Sequence, residues 1–171
     1  VTPDVICCGK GISSSLPLSA VIGREDIMDQ YGPGSMTSTH TGNPVCCAAA
    51  LASIRKIVGD DLTGNAARLE PVLLAGLKAI QEKHPQVIGH VSAAGLVGGM
   101  QTIKDGKQPD HDLAHRIIEL CYQRGLLLFA PVGAWGQTVK IAPPLTIPRD
   151  AMEEGLAVLA QATDDAVAEL K

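Results

Sequence analysis

The order of the apolar segments along the chain constrains the fold more than any other feature. Short apolar runs at residues 4–8 and 16–22 predict two buried strands. A helix should follow over residues 45–57, because Asn43 is a good N-cap and Pro44 suits the first helical position. This segment is apolar on nearly every side, so we expect the helix to be buried.

A second series of segments begins near residue 61. Apolar residues at helical spacing predict a long helix over residues 61–83, and Pro71 inside it predicts a break or a kink. The remaining pattern predicts two strands, a helix closed by Gly125, two more strands and a last helix. These lie at residues 87–91, 96–103, 112–124, 126–129, 138–141 and from 148 onward.

These two series predict an α/β fold with two domains. Residues 1–60 should be the end of a larger α/β domain whose other strands are absent, and residues 61–171 a small α+β domain. Composition agrees, because hydrophobic residues make up 46% of the 171 residues and aromatic residues only 2%. A core of small aliphatic side chains, with 18 glycines, is typical of an α/β enzyme rather than of a β-sandwich.

Charge and hydropathy exclude several kinds of partner. The net charge is −4 and no basic run occurs, which argues against a nucleic-acid partner. No apolar stretch approaches the roughly 20 residues needed to span a bilayer. The five cysteines have neither a disulfide nor a zinc spacing, so we expect no metal and buried thiols in a cytoplasmic protein.

Lys10 is the first candidate for chemistry. It follows the first predicted strand, in the order Cys8, Gly9, Lys10, Gly11. Flanking glycines let the backbone turn sharply and let a bulky group approach. A lysine in a partly desolvated pocket becomes a nucleophile for carbonyl carbon. Most lysines in turns are nevertheless solvated and inert, so this motif does not identify a catalytic residue without its context.

The context resembles one enzyme family. The stretch from Pro3 to Gly23 is similar to the lysine segment of class III aminotransferases, which depend on pyridoxal phosphate. Residues 38–44, followed by an alanine-rich helix, resemble that family's next signature. Residues 139–146 resemble its C-terminal signature, and Gly95 with Leu96 fits the glycine-rich strand before it. The four motifs come in the family's order and cover nearly the whole chain.

The resemblance implies a fold, a cofactor and two site residues. The chain would be the C-terminal part of a fold-type I transferase, with the end of the large domain followed by the small domain. Lys10 matches the lysine that forms the internal aldimine with pyridoxal 5'-phosphate, and then moves the proton between substrate carbon and cofactor C4′. Thr39 matches the threonine that binds the cofactor phosphate of the neighbouring subunit, which implies a homodimer with a shared site.

Two positions depart from the family pattern. Lys140 stands where many relatives have an arginine that binds the substrate carboxylate in a bidentate way. A lysine offers a point charge instead, so it either still binds the acid less rigidly or has lost the role. Serines occupy positions 13–15, where relatives often have glycines, so we expect no positive φ angle there.

The family's phosphate loop, its ring-stacking aromatic residue and its ring-nitrogen aspartate all precede the lysine segment. We therefore expect this polypeptide alone to be inactive, although the parent protein would transfer an amino group from an amino acid or ω-amino acid to a keto acid. Aminomutases and decarboxylases of the same family remain alternatives. A non-catalytic interaction module, in which Lys10 has no chemical role, is an alternative from another class.

Overall fold

The computed structural model describes residues 1–170 and divides into two compact units, Val1–Leu62 and a second unit from Thr63 onward. Each unit has its own secondary structure, and together they give a mixed α/β chain. None of the helices within residues 1–170 is both long enough and apolar enough to cross a bilayer.

The first unit contains a small antiparallel sheet and three helical segments. Strands β1 (Val5–Cys8) and β2 (Ala20–Gly23) pair in register, with Val5 opposite Gly23 and Cys8 opposite Ala20. A 3-10 helix (Lys10–Ser13) follows β1 directly, and a short helix α1 (Glu25–Met28) follows β2. Helix α2 (Pro44–Gly59) completes the unit and contacts the 3-10 helix.

Helix α2 begins as predicted but is not buried as predicted. The Asn43 side chain accepts hydrogen bonds from the backbone N–H groups of Val45 (3.0 Å) and Cys46 (3.3 Å), which confirms the cap. Only Cys46 and Ala50 are buried, whereas the apolar side chains of Val45, Leu51, Ile54 and Val58 are exposed. The expectation of burial was wrong for this unit, because a two-stranded sheet and a 3-10 helix offer too little surface to cover a helix on every side.

The second unit is a four-stranded antiparallel sheet with three helices. Its elements are α3 (Leu62–Lys83), β3 (Ile88–Ala94), β4 (Val97–Lys104), β5 (Gln108–Pro109), α4 (His111–Gln123), β6 (Thr138–Ile141) and α5 (Arg149–Ala168). Strand β4 is central: it pairs with β3, with β6 through residues 98–101 and with β5 through residues 103–104. Its buried residues alternate at Gly98, Met100 and Thr102, as expected for a strand with one face on a core.

Aliphatic side chains from all three helices and the strands fill this core. Leu73 and Leu77 of α3 have no exposed surface. A Cβ atom at Gly98 would lie 3.1 Å from Leu73 and 3.2 Å from Leu77, and one at Gly76 would lie 2.7 Å from Leu156. Glycine thus lets α3 lie close to β4 and α5, because a methyl group at either position would press against these leucine side chains.

Pro71 does not break helix α3, which continues from Leu62 to Lys83 as one helix. The proline removes one backbone hydrogen bond, whose acceptor would be the carbonyl group of Ala67. Both Pro71 and Ala67 are exposed, so water can reach that side of the helix. A proline is thus tolerated on the solvent side, where water can hydrogen-bond to the unpaired carbonyl group. In the core the same carbonyl group would have no partner.

The predicted strand at residues 126–129 does not form. Gly125 adopts φ 85° and closes α4 as predicted, and the Leu126 N–H donates to the Cys121 carbonyl group at 2.9 Å. The following residues pair with no strand among residues 1–170, and Leu127 and Phe129 are exposed. Apolar character alone predicted a strand here, but a strand also needs a neighbour with free backbone groups.

The cysteines do not behave uniformly. All five are free thiols; Cys46 and Cys121 are buried, whereas Cys7 and Cys47 are exposed. The expectation of buried thiols was therefore correct for only part of the set. Burial raises the pKa of the Cys121 thiol to about 11, so this thiol stays protonated at neutral pH.

Helices α3 and α5 are joined by a charged contact. The Asp164 carboxylate binds His84 Nε2 and Lys83 Nζ, both at 2.7 Å. Partial burial acts to raise the pKa of Asp164, but the two hydrogen bonds outweigh it and hold that pKa below its usual value. The contact therefore stabilises the folded unit only while Asp164 is ionised.

We expect Asp164→Asn to lower the free energy of unfolding at pH 7 by about 1 kcal/mol. The pKa of Asp164 is lower in the folded than in the unfolded chain, so its contribution is complete above the unfolded value of about 3.9 and is lost as the pH falls through the folded value. Urea unfolding at pH 7 and at pH 3 measures both differences. Asp60→Asn, which breaks an exposed pair with Lys56, should cost less. An Asp164→Asn effect that is as large at pH 3 as at pH 7 would contradict the stabilising role of the ionised carboxylate.

Candidate functional site

Lys10 lies at the end of β1, as the first residue of the 3-10 helix. Its φ angle is 48°, in the left-handed region that residues with a Cβ rarely adopt, while the preceding Gly9 is extended. The side chain is exposed, and its ammonium group has no hydrogen bond or ion pair with any of residues 1–170. Strained backbone at an unpaired amine is the pattern that functional sites show.

Local hydrogen bonds hold this turn in place. The buried Ser13 hydroxyl donates to the carbonyl group of Leu16. The backbone N–H of Ser14 donates to the carbonyl group of Gly11 at 3.1 Å. Ser14 has φ 65°, so the expectation that the serines here avoid positive φ was wrong. Strained backbone thus occurs at both ends of the 3-10 helix, at its first residue Lys10 and at Ser14 directly after it. The Ser13 side chain supplies one of the hydrogen bonds that stabilise this turn.

Thr39 lies in the loop between α1 and α2, within a compact turn. Ser38 and Thr41 close this turn, because the Thr41 hydroxyl accepts from the Ser38 N–H at 3.0 Å and shares a hydrogen bond with the Ser38 hydroxyl at 2.8 Å. The Asn43 N–H then donates to the His40 carbonyl group at 3.3 Å. Thr39 is exposed, and its own hydroxyl has no partner within the described chain. The turn therefore leaves a free hydroxyl just before helix α2.

The chemistry of these two residues fits a phosphorylated aldehyde. Lys10 offers a primary amine that can attack a carbonyl carbon, and Thr39 offers a hydroxyl that can donate to a phosphate oxygen. The two side chains are not hydrogen-bonded to each other, and neither is engaged elsewhere among residues 1–170. Both residues belong to the first unit, which therefore carries an unpaired amine and an unpaired hydroxyl.

Lys140 belongs to the second unit, on β6 opposite Gly99. Its ammonium nitrogen lies 5.2 Å from the centre of the Phe129 ring, within cation–π range. It is the only charged residue lining an apolar groove of about 440 Å³ among the described residues. The groove is formed by residues 126–129 and 140–144 with Ile147, Ala151, Met152, Gly155, Leu156 and Leu159. A cation at an apolar groove suits the acid group of a ligand with an apolar body.

The segment after Lys140 is held by a residue that the sequence gave no reason to select. The Asn65 side chain on α3 donates to the carbonyl groups of Leu145 (2.9 Å) and Ile147 (3.1 Å). These bonds fix the turn that leads from β6 to α5, and this turn forms one wall of the groove. The only sign of this role in the sequence is that asparagine, a weak helix former, stands inside a helical pattern.

Comparison with known proteins identifies the family. A model of the family described as aminotransferase class-III matches residues 1–163. The chain belongs to the class III aminotransferases. Curated relatives of this chain include the 4-aminobutyrate aminotransferase of Mycobacterium leprae, 34% identical over 166 residues. The alanine/serine racemase of Pyrococcus horikoshii is 35% identical over 165 residues.

Solved transaminase structures share the fold of this aminotransferase chain. A transaminase from the marine bacterium Virgibacillus superposes with a TM-score of 0.90 at 25% identity, covering 100% of this chain and 41% of that one. Acetylornithine aminotransferase from Elizabethkingia anophelis gives 0.85 at 27% identity, covering 96% and 42%. The matches to the 4-aminobutyrate aminotransferase and to the alanine/serine racemase each cover 96% of this chain. The chain spans only 37% of the length of the first relative and 34% of the length of the second.

Proposed function

We propose that the chain is the C-terminal part of a pyridoxal-phosphate-dependent enzyme that moves an amino group from an amino acid or ω-amino acid to a keto acid. Residues 1–60 would end the large domain and residues 61–171 would form the small domain. The activities of two relatives support the substrate class: one is a 4-aminobutyrate aminotransferase, and the other is the 5-aminovalerate aminotransferase of Pseudomonas aeruginosa, which is 32% identical over 167 residues. The observation that carries the proposal is the unpaired Lys10 amine on a strained turn, within the segment that resembles the family's lysine segment.

Each site residue has a stated task in this proposal. Pyridoxal phosphate, when bound, supplies an electron sink and an aldehyde carbon. Lys10 would hold the cofactor through that carbon, and its amine would carry the proton to and from the substrate carbon. The positive φ angle of Lys10 fixes the direction in which its side chain leaves β1. Thr39 donates from its hydroxyl to the phosphate held by a partner subunit, so the active assembly is a homodimer.

Lys140 binds the acid group of the substrate. A single ammonium group forms a point contact with a carboxylate, whereas arginine would clamp both oxygens in one plane. The stacking of Lys140 over Phe129 holds the ammonium beside an apolar ring that lines the same groove. This arrangement favours acids whose carbon chain can lie against apolar walls, and it fixes their orientation less tightly than an arginine would.

We expect Lys140→Ala in the parent enzyme to raise KM for the acid substrate about tenfold or more, with a smaller change in kcat, because a ground-state contact is lost. Steady-state kinetics at several substrate concentrations measure the two constants separately. Lys104→Ala, at an exposed position at the end of β4, is the matched control. An unchanged KM in Lys140→Ala would show that the lysine has lost the role.

The isolated chain should be inactive, since the ring-nitrogen aspartate and the phosphate loop of the family lie outside these motifs. Mixing the chain with pyridoxal phosphate and amino acids, and following absorbance and keto-acid release, tests this. Turnover by the chain alone would overturn that part of the proposal.

Four other functions are distinguished by assays on the parent enzyme. Keto-acid product indicates amino transfer, carbon dioxide a decarboxylase, and an isomeric amino acid an aminomutase or a racemase. The racemase reading is added by the relative from Pyrococcus horikoshii. An interaction module would be favoured instead if no substrate is converted and the stably folded chain does not bind pyridoxal phosphate.

A further inference from the structure

Two histidines lie one helical turn apart at the start of α4. His111 is the first residue of the helix and His115 follows four positions later. Residues at this spacing project from the same face of a helix. Both side chains are exposed, and their ring centres are 6.1 Å apart with 50° between the ring planes. The pair lies in a single unit of the chain and in neither of the sites described above.

The His111 ring is already oriented by the backbone. Its Nδ1 atom lies 3.1 Å from the carbonyl oxygen of Gly136. A carbonyl group can only accept, so this contact requires the proton on Nδ1 and leaves the Nε2 lone pair free. Metal-binding histidines commonly donate their second ring N–H to a backbone carbonyl group in this way. His111 therefore has the tautomer and the anchoring that a metal ligand needs.

The distance between the two rings is close to that needed for a shared ion. A metal bound to two Nε2 atoms at about 2.1 Å in tetrahedral geometry places the imidazole centres about 5 Å apart. The observed 6.1 Å is longer by about one ångström, and rotation of the exposed His115 side chain toward the anchored His111 ring closes this difference. The adjacent cation, Arg116, is paired with Glu119 and Glu169 at 2.7 Å each, so its charge is compensated.

We propose that His111 and His115 form a two-histidine chelating site for a divalent transition-metal ion, with water completing the coordination shell. No cluster of three or more His, Cys, Asp or Glu residues suited to a metal occurs in the part of the chain that the structure describes. The site is thus an open chelate of nitrogen ligands, which favours Ni²⁺, Cu²⁺ and Zn²⁺ over Mg²⁺ or Ca²⁺. Because Gly136 belongs to the same network, a bound ion would also tie the loop at residues 131–136 to α4.

Titration of the chain with Ni²⁺ alone tests the site by calorimetry and by the emission of Trp135. This residue is the chain's single tryptophan and is adjacent to Gly136. We expect one saturable Ni²⁺ site that lowers Trp135 emission. His111→Gln and His115→Gln should each weaken Ni²⁺ binding at least about tenfold, because each removes one of two ligands of a chelate. His90→Gln, an exposed histidine on β3, is the matched control and should bind as the unchanged chain does.

Thermal unfolding without metal verifies that the variants are folded, which is expected since both rings are on the surface. Equal Ni²⁺ affinity in the unchanged chain and in either α4 variant would overturn the proposal. Loss of binding in the His90 variant would do the same, because the ion would then be held elsewhere. Neither result depends on the amino-transfer activity of the parent enzyme.

Discussion

Replacement of Lys10 by alanine in the parent enzyme is expected to lower kcat by at least about 10³-fold, because no other amine in the turn can take its place. Borohydride reduction in the presence of pyridoxal phosphate should label the unchanged enzyme at one lysine, and peptide mapping should place the label at Lys10. The variant should carry no label in that peptide. Lys10→Arg should fail equally, since a guanidinium group is always charged and is not a nucleophile at neutral pH.

Lys107→Ala is the matched control for this experiment. Lys107 is exposed in the turn between β4 and β5, outside every site described above, so its loss should leave both labelling and kcat unchanged. Label on a peptide other than that of Lys10, or full activity in Lys10→Ala, would refute the assignment of the covalent lysine. Because Lys10 is exposed with φ 48°, the alanine variant should fold, and its thermal unfolding can verify this.

Replacement of Leu77 by alanine is expected to destabilise the second unit by about 2–5 kcal/mol. Leu77 has no exposed surface and lies against Gly98 of β4. Truncation removes buried apolar surface and leaves a cavity, since helix α3 is held on both sides by close contacts at Gly76 and Gly98 and cannot move inward. Equilibrium unfolding in urea, followed by circular dichroism, measures the loss.

Leu127→Ala is the matched substitution at an exposed leucine, 75% accessible. The same chemical change there should alter stability by less than about 0.5 kcal/mol. Similar losses at Leu77 and Leu127 would show that the core does not lie where α3 meets β4. A large loss at Leu127 alone would indicate that the segment at residues 126–129 is covered by another element.

The local signals in the sequence predicted most of the regular elements. Asn43 and Gly125 mark the ends of helices through their own backbone chemistry, and this chemistry needs no distant partner. The alternation along β4 and the helical spacing in α3 report one buried face each. Family motifs located Lys10, Thr39 and Lys140, but no spacing in the sequence could reveal whether their polar atoms are free. The roles of these three residues remain predictions.

Two of the errors share one cause. Residues 126–129 and helix α2 are apolar enough for burial, yet burial depends on whether another element offers a surface or a backbone partner. Pro71 was expected to break or kink α3; the helix is not broken, because the proline falls on the solvent side. The positive φ angle of Ser14 was missed because the chemistry of a serine side chain does not favour such an angle. The buried Ser13 hydroxyl, which donates to the Leu16 carbonyl group, helps to stabilise that turn.

Side-chain chemistry was thus sufficient for the helix ends, and the resemblance of four motifs was sufficient for family membership. They could not establish the Phe129–Lys140 stack, the Asn65 hydrogen bonds or the His111 contact with Gly136. Each of these joins residues that are 11 to 82 positions apart. A sequence pattern reports the preferences of neighbours along the chain, whereas such contacts exist only after the sheet and helices have brought distant segments within a few ångströms of each other.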